Sequence, residues 1–152
     1  PAVPELKANA RYAILLSGAF GGKGSESTAI AQYTAHNFYT ADYPEINRAY
    51  QCITSVEVTH LHLLGNLIRN LGKPVKFASY ETNAYWSGNY PAYAYEIRSI
   101  LRSDLDGEKD AVAHYTRLIR QIPSPEIQAI LSRIILDEQK HIEILTGFLD
   151  AL

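Results

Sequence analysis

The chain has 152 residues, of which 47% are hydrophobic and 20% charged, and its formal net charge is −2. This size and composition predict a single domain over residues 1–152, and the balanced charge gives no basic surface for nucleic acid. No apolar run approaches the roughly 18 residues needed to span a bilayer. We therefore expect neither a nucleic-acid partner nor a membrane partner.

Cysteine usage indicates a reducing compartment. Cys52 is the single cysteine, so the chain has no internal disulfide and no Cys-x-x-Cys pair for zinc, a rubredoxin-type iron site or redox chemistry. The start of the chain also lacks a basic stretch followed by a clean apolar core, as a secretory signal would have. We expect a cytoplasmic protein in which Cys52 is a small core residue.

Glycine and proline divide the chain into one short and four long helical segments. A short helix is predicted at about residues 9–20, and the first long segment then follows "FGGKGS". "ADYP" at 41–44 separates the first long segment from the second, and "PSP" at 123–125 separates the third from the fourth. Between the second and third lies a tyrosine-containing stretch, residues 72–91, of about twenty residues.

Each long segment carries a stripe of mostly apolar residues at the spacing of an α-helix. In the second segment the steps alternate between four and three residues, through Ile46, Tyr50, Ile53, Glu57, His60, Leu64, Leu67 and Leu71. The fourth repeats this alternation, through Ile127, Leu131, Ile134, Glu138, His141, Leu145, Phe148 and Leu152. Four such helices with short, long and short connections predict an all-α four-helix bundle with one long crossover, between helices 2 and 3.

Polar residues interrupt these stripes in a repeated pattern. "ESTAIAQYT" at 26–34 resembles "EKDAVAHYT" at 108–116, and "EVTHLHLLGNL" at 57–67 resembles "EQKHIEILTGF" at 138–148. Each half of the chain therefore pairs a helix that carries one Glu with a helix that carries Glu-x-x-His. The six residues of this pattern are Glu26, Glu57, His60, Glu108, Glu138 and His141.

Counting residues from the turns places the four carboxylates at one height. In each antiparallel hairpin the two glutamates differ in their distance from the turn by only one or two residues, which is roughly 1.5 to 3 Å along the helix. Four buried carboxylates are very unfavourable unless cations compensate them. Two divalent ions would balance the charge, and an oxygen-rich set with one imidazole per metal favours iron or manganese over structural zinc.

Neighbouring residues are candidates for supporting this site. Tyr33 and Tyr115, each seven residues after a Glu, can hydrogen-bond a ligating carboxylate or simply pack in the core. Asp137 can accept a hydrogen bond from the ring of His60, whereas Val56 at the matching place cannot, so the site should be asymmetric. We interpret three further histidines as surface or flanking residues, namely His36, His62 and His114.

The segment "YETNAYWSGNYPAYAY" contains five tyrosines and a tryptophan. It can cover the bundle, form a subunit contact or pack as an ordinary connection. The sequence does not distinguish these three interpretations.

Taken together, these motifs resemble those of the ferritin-like superfamily of di-metal carboxylate proteins over nearly the whole chain. The likeness is greatest in "SVEVTHLHLLG" and "ILDEQKHIEIL", which are similar to rubrerythrin-like, manganese-catalase-like and spore-coat ferritin-like proteins. The resemblance implies a left-handed crossover and a di-iron or di-manganese centre with those six residues as ligands. It further implies that Glu57 and Glu138 bridge the metals, with Glu26 and His60 on one metal and Glu108 and His141 on the other.

Two departures from the rubrerythrin pattern bear on the activity. Rubrerythrins carry an additional Glu three residues after the third-helix ligand, where this chain has Ala111, and they usually carry a rubredoxin domain with its cysteines. Manganese catalases need neither feature, although they are longer. The resemblance therefore implies a homo-oligomeric oxidoreductase acting on hydrogen peroxide, by disproportionation or reduction, or on dioxygen. The alternatives are a ferroxidase or iron-handling protein, and a non-catalytic coat-type protein that metals stabilise.

Overall fold

The computed structural model describes residue 3 and residues 5–152, and it confirms the predicted four-helix bundle. The elements are α1 (Ala10–Gly21), α2 (Glu26–Asn37), α3 (Pro44–Asn70), β1 (Ala78–Ser79), β2 (Ala84–Tyr85), α4 (Ile97–Gln121) and α5 (Pro125–Ala151). The short first helix is present as predicted, and the two-residue strands form a small antiparallel hairpin inside the crossover. Each helix in this part of the chain is too short or too polar to cross a lipid bilayer.

Local capping residues determine where the helices begin. The side chain of Asn9 accepts a hydrogen bond from the backbone N–H of Tyr12, and Ser25 and Ser124 cap α2 and α5 in the same way. Such caps satisfy N–H groups that have no partner inside the helix. Pro44 and Pro125 occupy the first turns of α3 and α5, where proline removes no helical hydrogen bond.

Two apolar clusters fill the two ends of the bundle. Along α3, residues 46–53 belong to one cluster and residues 63–71 to the other, and Glu57 and His60 lie between them. In α5 the clusters occur in the reverse order, with residues 127–134 before Glu138 and Leu145 after it. Glu57 and His60 of α3 and Glu138 of α5 therefore lie at one level, between two hydrophobic layers. Because α3 and α4 both begin in the same cluster, they run parallel, and a long connection must return along the bundle.

This crossover, between α3 and α4, lies along α1 and α2. The backbone N–H of Tyr80 donates to the hydroxyl of Ser17 (2.8 Å), and the indole N–H of Trp86 donates to the hydroxyl of Thr28 (3.0 Å). At Gly21 a Cβ atom would lie 2.4 Å from the backbone nitrogen of Ala78, so only glycine permits the close contact of α1 with β1. The tyrosine-rich segment thus covers the bundle, which was one of its three interpretations.

A buried carboxylate anchors the end of the crossover. Asp104 is 2% exposed and accepts hydrogen bonds from Gln32 Nε2 (2.8 Å), His36 Nδ1 (2.8 Å) and the hydroxyl of Tyr50 (2.5 Å). His36 Nε2 in turn accepts from the backbone N–H of Ala94 (3.0 Å), so the ring proton lies on Nδ1. Burial and the charge of Asp104 raise the pKa of Tyr50, which keeps its phenol a donor. This Asp104 network ties α2, α3, α4 and the crossover together.

Two side chains lie elsewhere than the sequence indicated. Cys52 was predicted to be a core residue, but it is exposed because it precedes the buried Ile53 by one position and points about 100° away from it around α3. His36 was interpreted as a surface or flanking residue, but it is 1% exposed inside the Asp104 network. His62 is exposed and His114 is half-buried, as expected for residues outside the site.

Removing the carboxylate of Asp104 should destabilise the fold. Asp104→Ala leaves three buried donors without an acceptor, so we expect the free energy of unfolding to fall by about 3 kcal/mol. Asp106→Ala, at an exposed position of the same helix, is the matched control and should change it by less than about 0.5 kcal/mol. Urea denaturation followed by circular dichroism measures both values, and equal losses would contradict the anchoring role of the network.

Candidate metal centre

The structure brings the six predicted site residues together in two overlapping groups. One group contains Glu26, Glu57, His60 and Glu138, and the other contains Glu57, Glu108, Glu138 and His141. Within each group, one possible ligand atom per residue lies within 4.8 Å of all the others, and every member is buried. Glu57 and Glu138 belong to both groups. Binding of metal by these residues stays a prediction.

Helix geometry explains this convergence. In α3 and again in α5, a Glu and a His three residues apart lie on the same face of the helix, and that face is turned to the bundle interior. Glu26 is the first residue of α2, so the Ser25 cap determines where its side chain lies. Glu108 lies on the buried face of α4, between the two apolar layers.

Both imidazoles direct Nδ1 into the carboxylates. His60 Nδ1 is 3.2 Å from Glu57 Oε2, 3.2 Å from Glu138 Oε1 and 3.6 Å from Glu26 Oε1. His141 Nδ1 is 3.0 Å from Glu57 Oε1, 3.2 Å from Glu108 Oε1 and 3.5 Å from Glu138 Oε1. Nδ1 of each ring therefore lies within 3.6 Å of all three carboxylates of its own group.

Two tyrosines hold the unshared carboxylates in place. Tyr33 donates its hydroxyl proton to Glu108 Oε1, and Tyr115 donates to Glu26 Oε1, each at 2.5 Å. Each tyrosine thus serves the glutamate of the other half of the chain. Burial raises the pKa of both phenols, and the charge of the bonded carboxylate raises it further, so both remain donors. The sequence had left open whether these residues bond a carboxylate or only pack.

Asp137 lies at the outer nitrogen of His60. Its Oδ2 is 2.9 Å from His60 Nε2, and its Oδ1 accepts a 2.7 Å hydrogen bond from Arg133 Nη1. Burial alone would raise the pKa of Asp137, but the hydrogen bond from His60 and the charges of His60 and Arg133 hold it below its ordinary value. A carboxylate in this position keeps the proton on Nε2 and leaves Nδ1 free to act as a ligand.

Four buried carboxylate oxygens of the site form no well-aligned hydrogen bond with the described residues. Glu57 Oε1 and Glu138 Oε1 lie 3.0 and 3.2 Å from a histidine Nδ1, whereas Glu26 Oε2 and Glu108 Oε2 have no hydrogen-bond partner in the described part of the chain. Burying an unpaired polar atom costs free energy, and native proteins rarely leave several such atoms together. These atoms belong to carboxylates gathered at one level, so a cation is the natural partner. The residues therefore fit a pair of divalent ions.

The pKa values of the site show how strongly the carboxylates attract positive charge. Burial raises the pKa of Glu57 and Glu138, and the neighbouring charge of Glu26 raises both further. Burial likewise disfavours a charged Glu26, but hydrogen bonds from Glu57 and His60 outweigh it and lower its pKa. Burial would lower the pKa of both histidines, yet hydrogen bonds with the surrounding carboxylates raise it. Protons and divalent ions thus compete for the same negative charge.

A cavity of about 460 Å³ leads from the surface to the carboxylates between α2 and α4. Glu26, Glu108 and Glu138 line its inner part, and Lys23, Asp106 and Asp110 line its exposed part. Small residues on the facing helices leave this space open, among them Ala29, Gly107 and Ala111. The cavity was not predicted from the sequence, although these small residues at helical spacing were a usable signal.

Solved structures with this architecture include metalloproteins. KatB, a manganese catalase from Anabaena, superimposes with a TM-score of 0.92 at 25% identity, over 99% of this chain and 76% of that one. A bacterioferritin from Rhodobacter capsulatus gives 0.80 at 20% identity, over 96% and 88%. A dodecameric thioferritin from Bacteroides fragilis gives 0.75 at 18% identity, over 95% and 88%. The last two likenesses show the fold alone.

A comparison with curated proteins finds no match. The family model described as Rubrerythrin matches residues 16–149, which span every residue of the two Glu and His groups. This agrees with the resemblance carried by the repeated Glu-x-x-His motifs. The chain belongs to the rubrerythrin family, within the ferritin-like superfamily.

Proposed function

We propose that the chain holds two iron or manganese ions and acts as an oxidoreductase on hydrogen peroxide, with disproportionation as the favoured reaction. The observation that carries this proposal is the gathering of four buried carboxylates and two imidazoles in two overlapping groups, with four carboxylate oxygens that form no well-aligned hydrogen bond with the described residues. Glu26 and His60 would hold one metal, Glu108 and His141 the other, and Glu57 and Glu138 would be shared. Such a metal pair supplies reversible one-electron chemistry and a binding place for small oxidants.

The protein residues have separate tasks in this proposal. Tyr33 and Tyr115 fix the orientation of the unshared carboxylates through their short hydrogen bonds. Asp137 fixes the ring of His60. The apolar layers on both sides of the site limit water, and the cavity between α2 and α4 admits a molecule as small as peroxide to Glu26, Glu108 and Glu138.

Ala111 favours the catalase reaction over a reductant-dependent peroxidase. It lines the cavity at the place where rubrerythrins have an additional Glu, so this position contributes no carboxylate. The likeness to the manganese catalase KatB, which covers nearly all of this chain, agrees with this choice.

Ferrous iron oxidation is the second candidate function. Asp106 and Asp110 are exposed carboxylates at the outer part of the cavity, where they can attract a divalent cation. The residues that would hold the metal pair would then serve the oxidation of ferrous iron as a substrate, with dioxygen or hydrogen peroxide as the electron acceptor. A protein that binds metals but shows neither reaction would be the coat-type alternative.

We further propose a single domain over residues 1–152 in a cytoplasmic homo-oligomer. Three aromatic residues near one another are exposed, namely Phe38 (81%), Tyr39 (52%) and Tyr95 (67%). The ring centroids of Tyr39 and Tyr95 lie 5.1 Å apart. Exposed aromatic residues close together are typical of protein contacts.

Metal content tests the ligand assignment. Because Glu57 belongs to both groups, Glu57→Gln should lower the affinity for both metals by at least about tenfold, whereas Glu26→Gln should affect chiefly one. Glu143→Gln changes an exposed glutamate of α5 and serves as the control. Elemental analysis of protein purified without chelators measures iron and manganese per chain. Unchanged content in Glu57→Gln would contradict the proposed site.

Oxygen release from hydrogen peroxide tests the reaction. The metal-loaded protein should evolve oxygen without added reductant, whereas turnover only with a reductant would indicate a peroxidase. Oxidation of ferrous iron by large, cage-sized particles would instead indicate iron storage.

A variant in the cavity tests the route to the site. Ala111→Glu places a carboxylate in the cavity and should slow oxygen release by at least about tenfold, or 1.4 kcal/mol in the barrier. Ala113→Glu adds the same charge at an exposed position of α4 and should not. Rates are compared per bound metal, and equal rates in the two variants would rule out this cavity as the substrate route.

A further inference from the structure

The two histidines of the site differ at their outer nitrogens. His60 Nε2 lies 2.9 Å from a carboxylate oxygen of Asp137, which Arg133 also holds. His141 directs Nδ1 inward in the same way, but nothing in residue 3 or residues 5–152 forms a hydrogen bond with its Nε2.

The repeat explains this difference. Asp137 directly precedes Glu138, and the residue that directly precedes Glu57 in the matching motif is Val56. Because the two motifs lie on equivalent faces of α3 and α5, Val56 occupies the position from which a carboxylate would serve His141. Its half-buried hydrocarbon side chain has no acceptor.

The tyrosine hydrogen bonds and the cavity are alike in the two halves of the site. Tyr33 and Tyr115 form matching 2.5 Å bonds to Glu108 and Glu26, and the cavity reaches both of these glutamates. Neither the tyrosine hydrogen bonds nor access from the cavity therefore distinguishes the two metal positions. The difference between Asp137 and Val56 does distinguish them.

A carboxylate at the outer nitrogen of a metal-bound imidazole fixes the ring and makes the inner nitrogen more basic, and losing it typically lowers metal affinity by about 10- to 100-fold. We propose that the two metal positions are unequal: the position of Glu26 and His60 holds its ion tightly, whereas the position of Glu108 and His141 holds an exchangeable ion. This inference rests on the proposed function, since it requires both positions to bind divalent metal.

Manganese binding to the chelator-treated full chain tests the inference. Isothermal titration calorimetry should show two steps that differ in dissociation constant by about 10- to 100-fold. Val56→Asp should tighten the weaker step and leave the stronger one unchanged. Ser55→Asp, which adds the same charge at the exposed neighbouring position, should change neither step.

Changes at Asp137 test the same inference from the other half. Asp137→Val should weaken the tight step until the two steps merge, and Asp137→Asn, which keeps an acceptor oxygen, should have a smaller effect. Circular dichroism confirms that each variant is folded, and Val56→Asp remains decisive if Asp137→Val does not fold. Two equal steps in the wild type, unaffected by Val56→Asp, would overturn the inequality alone. No manganese binding at all would overturn the proposed function as well.

Discussion

The structure depends on one electrostatic constraint, the burial of four glutamate side chains at one level of a helical bundle. Each has an oxygen that forms no well-aligned hydrogen bond with the described residues. Burial raises the pKa of Glu57 and Glu138, and the neighbouring negative charge of Glu26 raises it further. In a low-dielectric interior such a cluster is unfavourable unless positive charge compensates it. The apolar layers above and below limit the contact of the cluster with water, which strengthens the electrostatic interactions within it.

The twofold repeat supplies the six residues of this level by using one motif twice. A helix with one Glu and a helix with Glu-x-x-His form each half, and the tyrosine of each half bonds the glutamate of the other, so the halves orient each other. The two halves differ at two places, one in the site and one in the anchoring of the crossover. Val56 replaces the acceptor that Asp137 provides, and only the first half carries the Gln32 and His36 side chains that bind Asp104 and the crossover.

Much of the fold and the site could be predicted because helices are regular. The steps of four and three residues, the prolines and the capping serines are local signals, and counting from the turns was sufficient to place Glu26 and Glu57 at one height. Predictions that needed the rotation or partner of one side chain were less secure. Cys52 is exposed because it lies one residue from the buried stripe. His36 is buried beside Asp104, and because Asp104 lies 68 residues away in the sequence, no local pattern indicated this contact.

The sequence by itself determined the helices, the order of short and long connections and the level shared by the six Glu and His residues, since helical rise and period depend only on local geometry. The tertiary structure alone decided which carboxylate oxygens lack a partner and which tyrosine bonds which glutamate. It also decided the path of the crossover along α1 and α2 and the opening of a cavity between α2 and α4. These features arise where side chains from distant segments meet, and their positions depend on how whole helices pack against one another.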